Sequence, residues 1–188
     1  GGVQFLTGED GLKQDPVSRL VHELKTHNWV EHYRYIPPRP QKTVPLPDVL
    51  DSRLVAGLTG SGIHTLYSHQ ADAFLHATSG RNTVVVTPTA SGKTLCYNLP
   101  VLQRLAEDPD ARAFYLFPTK ALSRDQLAGL LSLAQSASLP LKCDVYDGDT
   151  PSDTRQSIRQ QAQVMITNPD MIHQAILPHH PKWKKSLE

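Results

Sequence analysis

Residues 83–94 decide the fold, and they read Thr-Val-Val-Val-Thr-Pro-Thr-Ala-Ser-Gly-Lys-Thr. The β-branched run predicts a short buried strand over Thr83–Thr87. Proline and small residues follow and predict a tight loop, after which a helix is predicted over Gly92–Ala106. This order of strand, loop and helix is typical of an α/β fold.

The same alternation of short apolar runs and helices occurs on both sides of this segment, across residues 61–188. Strands are predicted at Ala113–Phe117, Cys143–Tyr146 and Val164–Thr167, and helices at Tyr67–Thr78, Lys120–Ala137, Pro151–Gln161 and Pro169–Ile176. Strands that are apolar along their whole length indicate a parallel sheet that is buried on both faces. The predicted fold class is therefore α/β, with a parallel sheet and helices on both faces.

The residues before this region have a different composition, and residues 1–60 are assigned to a helical N-terminal extension. Apolar residues at helical spacing predict an amphipathic helix over Pro16–Tyr35. Five prolines among residues 36–47 predict an extended strap of the polyproline type. Asp48 is expected to cap a short helix over residues 49–58.

Composition excludes several classes of protein. The chain has 188 residues, of which 39% are apolar, enough for the core of one domain of ordinary size, and its net charge is +1. Two cysteines, Cys96 and Cys143, cannot form a disulfide scaffold and lack the spacing of a metal site. The longest apolar runs are too short to cross a membrane. Free thiols, and first residues without the features of a secretion signal, favour a cytoplasmic location.

Residues 87–94 also have the features of a polyphosphate-binding loop. Converging backbone N–H groups and the positive end of a helix dipole bind phosphate oxygens, and small residues let the backbone approach them closely. Lys93 is placed to reach the β- and γ-phosphates, and the Thr94 hydroxyl to coordinate Mg²⁺. The predicted nucleotide-binding residues are Thr87, Pro88, Thr89, Ala90, Ser91, Gly92, Lys93 and Thr94.

The loop departs at one position from the pattern G-x-x-x-x-G-K-[ST], because Thr87 occupies the place of the first glycine. A side chain there is compatible with the loop only if the φ angle of Thr87 is negative. The alternative is an ordinary turn between a strand and a helix that happens to read Gly-Lys-Thr. The strand predicted before the loop and the helix predicted after it favour the nucleotide site.

Residues 87–94 and four further segments resemble motifs of superfamily two helicases, and they occur in the family's order. The further segments read Leu-Tyr-Ser-His-Gln at residues 66–70, Phe-Pro-Thr-Lys-Ala-Leu-Ser-Arg-Asp-Gln at 117–126, Tyr-Asp-Gly-Asp-Thr-Pro at 146–151 and Thr-Asn-Pro-Asp-Met-Ile-His at 167–173. The two aspartates of 146–151 fit a turn and a helix start rather than a metal site. The wording of residues 87–100 is most similar to DNA-repair helicases of the bacterial mitomycin-repair-factor type and their fungal RecQ-four-like relatives. It is less similar to DEAD-box RNA helicases.

The resemblance implies a RecA-like P-loop domain, of which residues 61–188 are the first part. It implies ATP and Mg²⁺ as cofactors, Lys93 and Thr94 as catalytic residues, and ATP-driven 3′-to-5′ translocation on single-stranded DNA with duplex unwinding in DNA repair. In a bacterium, the resemblance implies a cytoplasmic protein that associates with the nucleoid. In a eukaryote, it implies a nuclear protein. Gln70 would pair with adenine, because its amide both donates and accepts hydrogen bonds. Taken alone, Gln70 could instead be a solvent-facing residue of a helix.

Turns and helix starts that follow the strands would line the nucleic-acid track of such a domain. Thr119 as a helix cap leaves first-turn N–H groups for a phosphate, and Lys120 adds positive charge. The residues assigned to single-stranded DNA, or to DNA with a single-stranded tail, are Pro118, Thr119, Lys120, Gly148, Thr167 and Asn168. The alternative is that these helices are capped by their own residues and need no ligand. Trp183, which lies among lysines, is expected to pack against the domain rather than to grip DNA.

The sequence has no Asp-Glu pair after residue 177 and no second RecA-like half, both of which the family uses for hydrolysis. The isolated chain is therefore expected to hydrolyse ATP no faster than a blank, and the remainder of the helicase, with the motif II strand and the second RecA-like domain, to complete the fold. The strand over Thr83–Thr87 is expected to have an unpaired edge. Two alternatives stay open, an RNA helicase of the DEAD-box type and a nucleotide-binding interaction module without motor activity.

Overall fold

A computed structural model describes residues 16–27, 42–88 and 91–187, in two compact units that divide after Pro40. The described part of the first unit is helix α1, Pro16–Thr26. The helix predicted over Pro16–Tyr35 therefore ends early, at Thr26, whose hydroxyl donates to Glu23 O at 2.6 Å. Residues 28–35 of that prediction lie outside the described residues.

The second unit contains the α/β fold. Its helices are α2 (Ser52–Gly60), α3 (Ser68–Thr78), α4 (Lys93–Glu107), α5 (Lys120–Ser136) and α6 (Ser152–Gln161), and its strands are β1 (Thr43–Pro45), β2 (Thr65–Tyr67), β3 (Ala113–Leu116), β4 (Cys143–Val145) and β5 (Val164–Thr167). After β5, a short helix α7 (Pro169–Met171) continues through a π-helical turn (Ile172–Ile176) and a 3₁₀ segment (Leu177–Trp183) into α8 (Lys184–Leu187). The positions of helices α3 to α6 agree with the predictions to within one residue at each end.

Strand β5 is the centre of a three-stranded parallel sheet with the order β3-β5-β4. Ala113 and Cys143 both pair with Val164, so the three strands start level. All four residues of β5 are buried, and they alternate between two cores. Val164 and Ile166 join the core formed with α2 to α5, whereas Met165 joins a second core covered by α6 and the helical segment after β5. The predicted class, a parallel sheet with helices on both faces, is confirmed.

Trp183 belongs to this second core. Its side chain is 1% exposed and packs edge-on against Tyr146, with ring centroids 5.0 Å apart. The Arg159 guanidinium lies 5.7 Å from the Trp183 ring, whereas Lys182 is exposed. The prediction that Trp183 packs against the domain is confirmed, and its ring is not available to stack on a base.

The proline-rich strap contains a β-strand, rather than a polyproline helix, where the structure describes it. Strands β1 and β2 pair in antiparallel register, with Val44 opposite Leu66. This pairing places Leu66 in the core, with 0% of the residue exposed. Pro45 has no N–H to donate, but it is the last residue of a strand that lies at the edge of its sheet, where proline is tolerated. Residues 36–41 of the predicted strap lie outside the described residues.

Asp51 caps helix α2, so the prediction that Asp48 caps a helix starting at residue 49 is wrong. The Asp51 carboxylate accepts a hydrogen bond from Arg53 N at 2.9 Å and forms an ion pair with the Arg53 guanidinium. Asp48 instead lies in a turn that is closed by a 3.0 Å hydrogen bond from Leu50 N to Pro47 O. Leu50 is 6% exposed, and its burial fixes this turn and delays the start of the helix.

Helix α2 is part of the main core. Its residues Leu54 and Leu58 are 0% exposed and belong to the same core as β5. The compact unit accordingly begins at Gln41. The division drawn from the sequence, after residue 60, placed α2 with the N-terminal extension instead.

No strand forms over Thr83–Thr87 in the structure, contrary to the sequence prediction. Val84 and Val86 are 88% and 89% exposed. A strand needs a neighbour that pairs with its N–H and C=O groups, and none of β1 to β5 pairs with this segment. The sequence predicted a strand with an unpaired edge, whereas in the structure this segment pairs with no strand on either side.

Substitution of Gly57 tests the packing of α2 on α5. A Cβ at Gly57 would lie 2.7 Å from Ala137 N and 2.9 Å from Ser136 C, both backbone atoms that cannot rotate away. We expect Gly57→Ala to lower the free energy of unfolding by about 1–3 kcal/mol, measured by urea denaturation. Gly129→Ala, in α5, is the control: a Cβ there meets nothing within 4 Å, and the variant should be as stable as the wild type or slightly more stable. Equal stability of the two variants would contradict this packing.

Candidate nucleotide and nucleic-acid site

Gly92 sets the geometry of the loop before α4. It is the residue before the first turn of the helix and has φ 71° and ψ 28°, a left-handed conformation that favours glycine. Thr87 does not share it, since Ser138 is the only non-glycine residue with positive φ among those that the structure describes. The φ angle of Thr87 is therefore not positive, as a side chain at the first position of the loop requires. Thr89 and Ala90 lie outside the described residues.

The Lys93 ammonium is bound by the loop itself. Lys93 Nζ donates to Thr87 O at 2.9 Å and to Pro88 O at 2.7 Å, and it lies 3.5 Å from Ser91 Oγ. The Thr87 and Ser91 hydroxyls form a hydrogen bond of 2.6 Å, which joins the first residue of the loop to the residue before Gly92. Phosphate oxygens carry charge and are stronger acceptors for an ammonium than neutral carbonyls are. Thr94, half-exposed, follows Lys93 in the first turn of α4.

Gln70 braces this loop from helix α3. Its side chain is buried, with 3% of the residue exposed, and the amide nitrogen donates to Gly92 O at 2.8 Å. Its amide oxygen accepts a hydrogen bond from Tyr67 N at 2.9 Å. Gln70 is therefore not the solvent-facing residue of the alternative interpretation. Both ends of its amide are engaged with backbone, so a contact with adenine remains a prediction.

The structure adds His69, which the sequence analysis did not assign to the site. His69 Nε2 lies 2.9 Å from Ser91 O, and the imidazole stacks on the Tyr67 ring with centroids 5.7 Å apart. Side chains from the start of α3 therefore hold two consecutive carbonyls of the loop, those of Ser91 and Gly92. The sequence signal that could have identified His69 was its position next to Gln70 in the segment Leu-Tyr-Ser-His-Gln.

The residues predicted for DNA follow β3, β4 and β5, at the edge of the sheet where the strands end. Leu116 pairs with Thr167, and Val145 with Ile166, so the turns after the three strands leave the sheet at the same edge. The turn after β3 carries Pro118, Thr119 and Lys120, all exposed; Gly148 lies after β4 and Asn168 after β5. The register thus brings all six predicted residues to one edge, where five of them are exposed or half-exposed.

Thr119 and Asn168 are helix caps, as their residue types indicate. Thr119 Oγ1 accepts from Leu122 N at 3.2 Å at the start of α5, and Asn168 Oδ1 accepts from Met171 N at 2.9 Å at the start of α7. Each cap satisfies one of the N–H groups that have no acceptor within the helix. The self-capping considered in the alternative interpretation is therefore present, and it leaves the other first-turn N–H groups for a further acceptor.

Thr167 differs from the other predicted DNA residues. It is 1% exposed, and its hydroxyl donates to Tyr146 O at 2.6 Å, joining the ends of β5 and β4. The side chain is therefore part of the sheet interior and not of an exposed track. Gly148, in contrast, is exposed, and a Cβ there would meet nothing within 4 Å.

Lys120 is not free at its exposed position, because its ammonium forms an ion pair with the Asp149 carboxylate of the turn after β4. The side chains of Lys120 and Asp149 are 51% and 72% exposed. The pair lowers the pKa of Asp149 and raises that of Lys120, since each charge stabilises the other. Both groups are therefore fully charged near neutral pH.

Comparison with known proteins decides the family. The model of DEAD/DEAH box helicases matches residues 67–188, which include the loop, α3 and the whole sheet. The chain belongs to the DEAD/DEAH box helicase family. The resemblance to superfamily two helicases, which the sequence analysis based on short motif segments, is confirmed.

Individual helicases are similar over most of the chain. YprA, an ATP-dependent helicase of Bacillus subtilis, is 48% identical over 177 residues, which cover 94% of this chain and 24% of YprA. The ATP-dependent helicase hrq1 of Schizosaccharomyces pombe is 44% identical over 137 residues, which cover 71% of this chain and 13% of that protein. The crystal structure of the DUF1998 helicase MrfA bound to DNA and AMPPNP superposes with a TM-score of 0.81 and 49% identity, over 89% of this chain and 24% of MrfA. The chain thus spans a quarter or less of the length of these helicases.

The helices of the described residues do not include one with the length and apolar character needed to cross a membrane.

Replacement of Gln70 tests the contact between α3 and the loop before α4. Gln70→Leu keeps the volume but leaves Gly92 O and Tyr67 N without their partner, so we expect a loss of about 1–3 kcal/mol in the free energy of unfolding. The matched control is Gln156→Leu, at an exposed position of α6, which should unfold like the wild type. Denaturant titrations that give the same stability for both variants would show that the brace contributes nothing.

Proposed function

We propose that this chain is the ATP- and DNA-binding part of a longer ATP-dependent helicase, which translocates 3′-to-5′ on single-stranded DNA and unwinds duplexes in DNA repair. The observation that carries the proposal is the loop before α4, in which Lys93 is held among the loop oxygens beside Gln70. Family membership and the similarity to MrfA, solved with DNA and AMPPNP, support it. The polarity and the repair role rest on the resemblance of residues 87–100 to mitomycin-repair-type helicases.

The loop residues fit a nucleoside triphosphate. Lys93 already donates to Thr87 O and Pro88 O, and a phosphate chain would replace these carbonyls with charged acceptors. Gly92, with its positive φ and its close approach to Gln70, leaves no room for a side chain: a Cβ there would lie 2.5 Å from Gln70 Nε2. Glycine at this position therefore keeps the contact between Gln70 and the loop backbone. Bound Mg²⁺, with Thr94 as its protein ligand, would neutralise charge on the phosphates.

The row of turns at the sheet edge fits a nucleic-acid backbone. Pro118, Thr119, Lys120, Gly148 and Asn168 are exposed or half-exposed there, and they offer helix N-termini, one cation and an open glycine surface. Such groups contact phosphate and sugar without reading the bases. A helicase that moves along DNA needs contacts of this sequence-independent kind. In this proposal Thr167 supports the edge from inside the sheet.

A further strand of the longer polypeptide would complete the sheet. A cavity of about 620 Å³ is lined by Thr83 and Val85, by Tyr97 and Val101 of α4, and by Ala113 at the start of β3. Strand β3 is an edge of the three-stranded sheet, and the segment 83–87 has no strand partner among β1 to β5. Strands that entered this cavity would find unpaired backbone on β3 and on the segment 83–87. We therefore expect the motif II strand, with its acidic pair, to occupy this cavity.

The proposal predicts hydrolysis by the longer polypeptide and not by the isolated 188 residues, because the sequence has no Asp-Glu pair after residue 177. In the full-length protein, Lys93→Ala should lower DNA-stimulated phosphate release by about 10²- to 10³-fold, the effect of removing one charge-stabilising donor. Lys142→Ala, which removes an exposed lysine next to β4, should hydrolyse ATP at the wild-type rate. Robust, Lys93-dependent turnover by the isolated 188 residues would contradict the assignment.

Strand-displacement assays with the full-length protein test the substrate and the polarity. We expect unwinding of DNA duplexes with a 3′ single-stranded tail and none with a 5′ tail, in the presence of Mg·ATP. Unwinding of RNA duplexes alone would favour an RNA helicase. ATP binding whose affinity does not change with DNA, and no unwinding of any duplex, would favour an interaction module without motor activity.

A further inference from the structure

Asp149 is an exposed anion in the row of turns that the proposed function assigns to DNA, and it is the one that contacts Lys120. Its carboxylate accepts a hydrogen bond from Lys120 Nζ, and 29 residues separate the two along the chain. Arg124, one helical turn beyond Lys120, is close enough to stabilise the Asp149 charge. A phosphate that approached Lys120 would meet this carboxylate at the ammonium group.

The turn that presents Asp149 is organised independently of Lys120. Asp149 N donates to Asp147 Oδ1 at 2.9 Å, and Asp147 N donates to Thr150 Oγ1 at 2.9 Å. Arg155 of α6 donates to Thr150 O at 2.9 Å and lies 5.5 Å from the centre of the Tyr146 ring. The backbone around Asp149 is therefore fixed by neighbours other than its ion-pair partner, so loss of the carboxylate charge leaves the turn in place.

The ion pair does little for the stability of the fold. Both side chains are more than half exposed, and ion pairs of this kind in water contribute little or nothing measurable. Its effect is instead on the local charge, because the carboxylate neutralises the one cation among the five exposed or half-exposed residues assigned to DNA. The negative charge of the Asp149 carboxylate also repels an incoming phosphate.

We propose that Asp149 acts through Lys120 as an electrostatic gate on DNA binding: the carboxylate holds the ammonium until a DNA phosphate displaces it, and so keeps this contact weak and reversible. The inference rests on the proposed DNA track and adds to it a residue that limits affinity. A contact that opens and closes readily suits a protein that must release and rebind the strand as it moves.

Binding of a fluorescently labelled single-stranded oligonucleotide to the full-length protein, measured by anisotropy at several KCl concentrations, tests this gate. Asp149→Asn should bind about 3- to 10-fold more tightly than the wild type. The slope of log affinity against log salt should become steeper by up to about 0.7, the value for one charge on a single strand, because the variant raises the local net charge by one. Asp149→Glu, which restores the carboxylate, should return both quantities toward the wild type.

Two further variants separate the gate from a general effect of charge. Asp153→Asn removes the same charge in the first turn of α6, where the carboxylate contacts Thr154 and not Lys120, and it should bind DNA like the wild type. In the Lys120→Gln background, Asp149→Asn should give a clearly smaller gain in affinity than in the wild type, because Lys120 is no longer there to be released and only the repulsion of the phosphate is relieved.

Equal gains from Asp149→Asn and Asp153→Asn, a gain as large without Lys120 as with it, or weaker binding by Asp149→Asn would each overturn the gate while leaving the DNA track intact. Absence of DNA binding by the wild-type protein and by every variant would instead show that the proposed function is wrong, and the gate with it.

Discussion

The parallel register of β5 with both of its neighbours is the constraint on which the proposed nucleic-acid surface depends. Because the strands run in one direction and start level, the chain leaves all three at the same edge. The helices that follow then begin at that edge, with their N–H groups and caps side by side. Residues far apart in sequence, such as Lys120 and Asp149, meet only because of this register. The alternation of β5 between two buried cores fixes that register, since a slip by one residue would exchange its two faces.

The loop before α4 obeys a different constraint, the need to give hydrogen-bond partners to the backbone carbonyls of a tight turn. Carbonyl groups of Thr87, Pro88, Ser91 and Gly92 each receive a partner from Lys93, His69 or Gln70. The side chains that would serve the nucleotide are thus the same ones that hold the loop together. Ligand binding in such a site is an exchange of hydrogen bonds rather than the filling of an empty space, which ties the affinity for phosphate to the stability of the loop.

Sequence patterns predicted those features that depend on neighbours along the chain. Strand β5, the ends of helices α3 to α6 and the cap Thr119 all follow from local spacing and residue type. Features that depend on distant partners were missed. Pairing of β1 with β2, burial of Thr167 under Tyr146 and the ion pair between Lys120 and Asp149 leave no local signal. Burial of Leu50 likewise overrides the capping preference of Asp48.

The segment 83–87 shows why a strong local preference is not sufficient. Its three valines have the highest β-propensity in the chain's central region, yet a strand gains its stability from pairing and burial, and here Val84 and Val86 face solvent. Burying each of them would contribute about 1.5 kcal/mol or more, which is a large part of the 5–15 kcal/mol that stabilises a typical domain. The same segment ends at Thr87, whose carbonyl binds Lys93. A strand that paired with residues 83–87 would therefore also fix one wall of this loop, so completion of the sheet would prepare the proposed phosphate site as well.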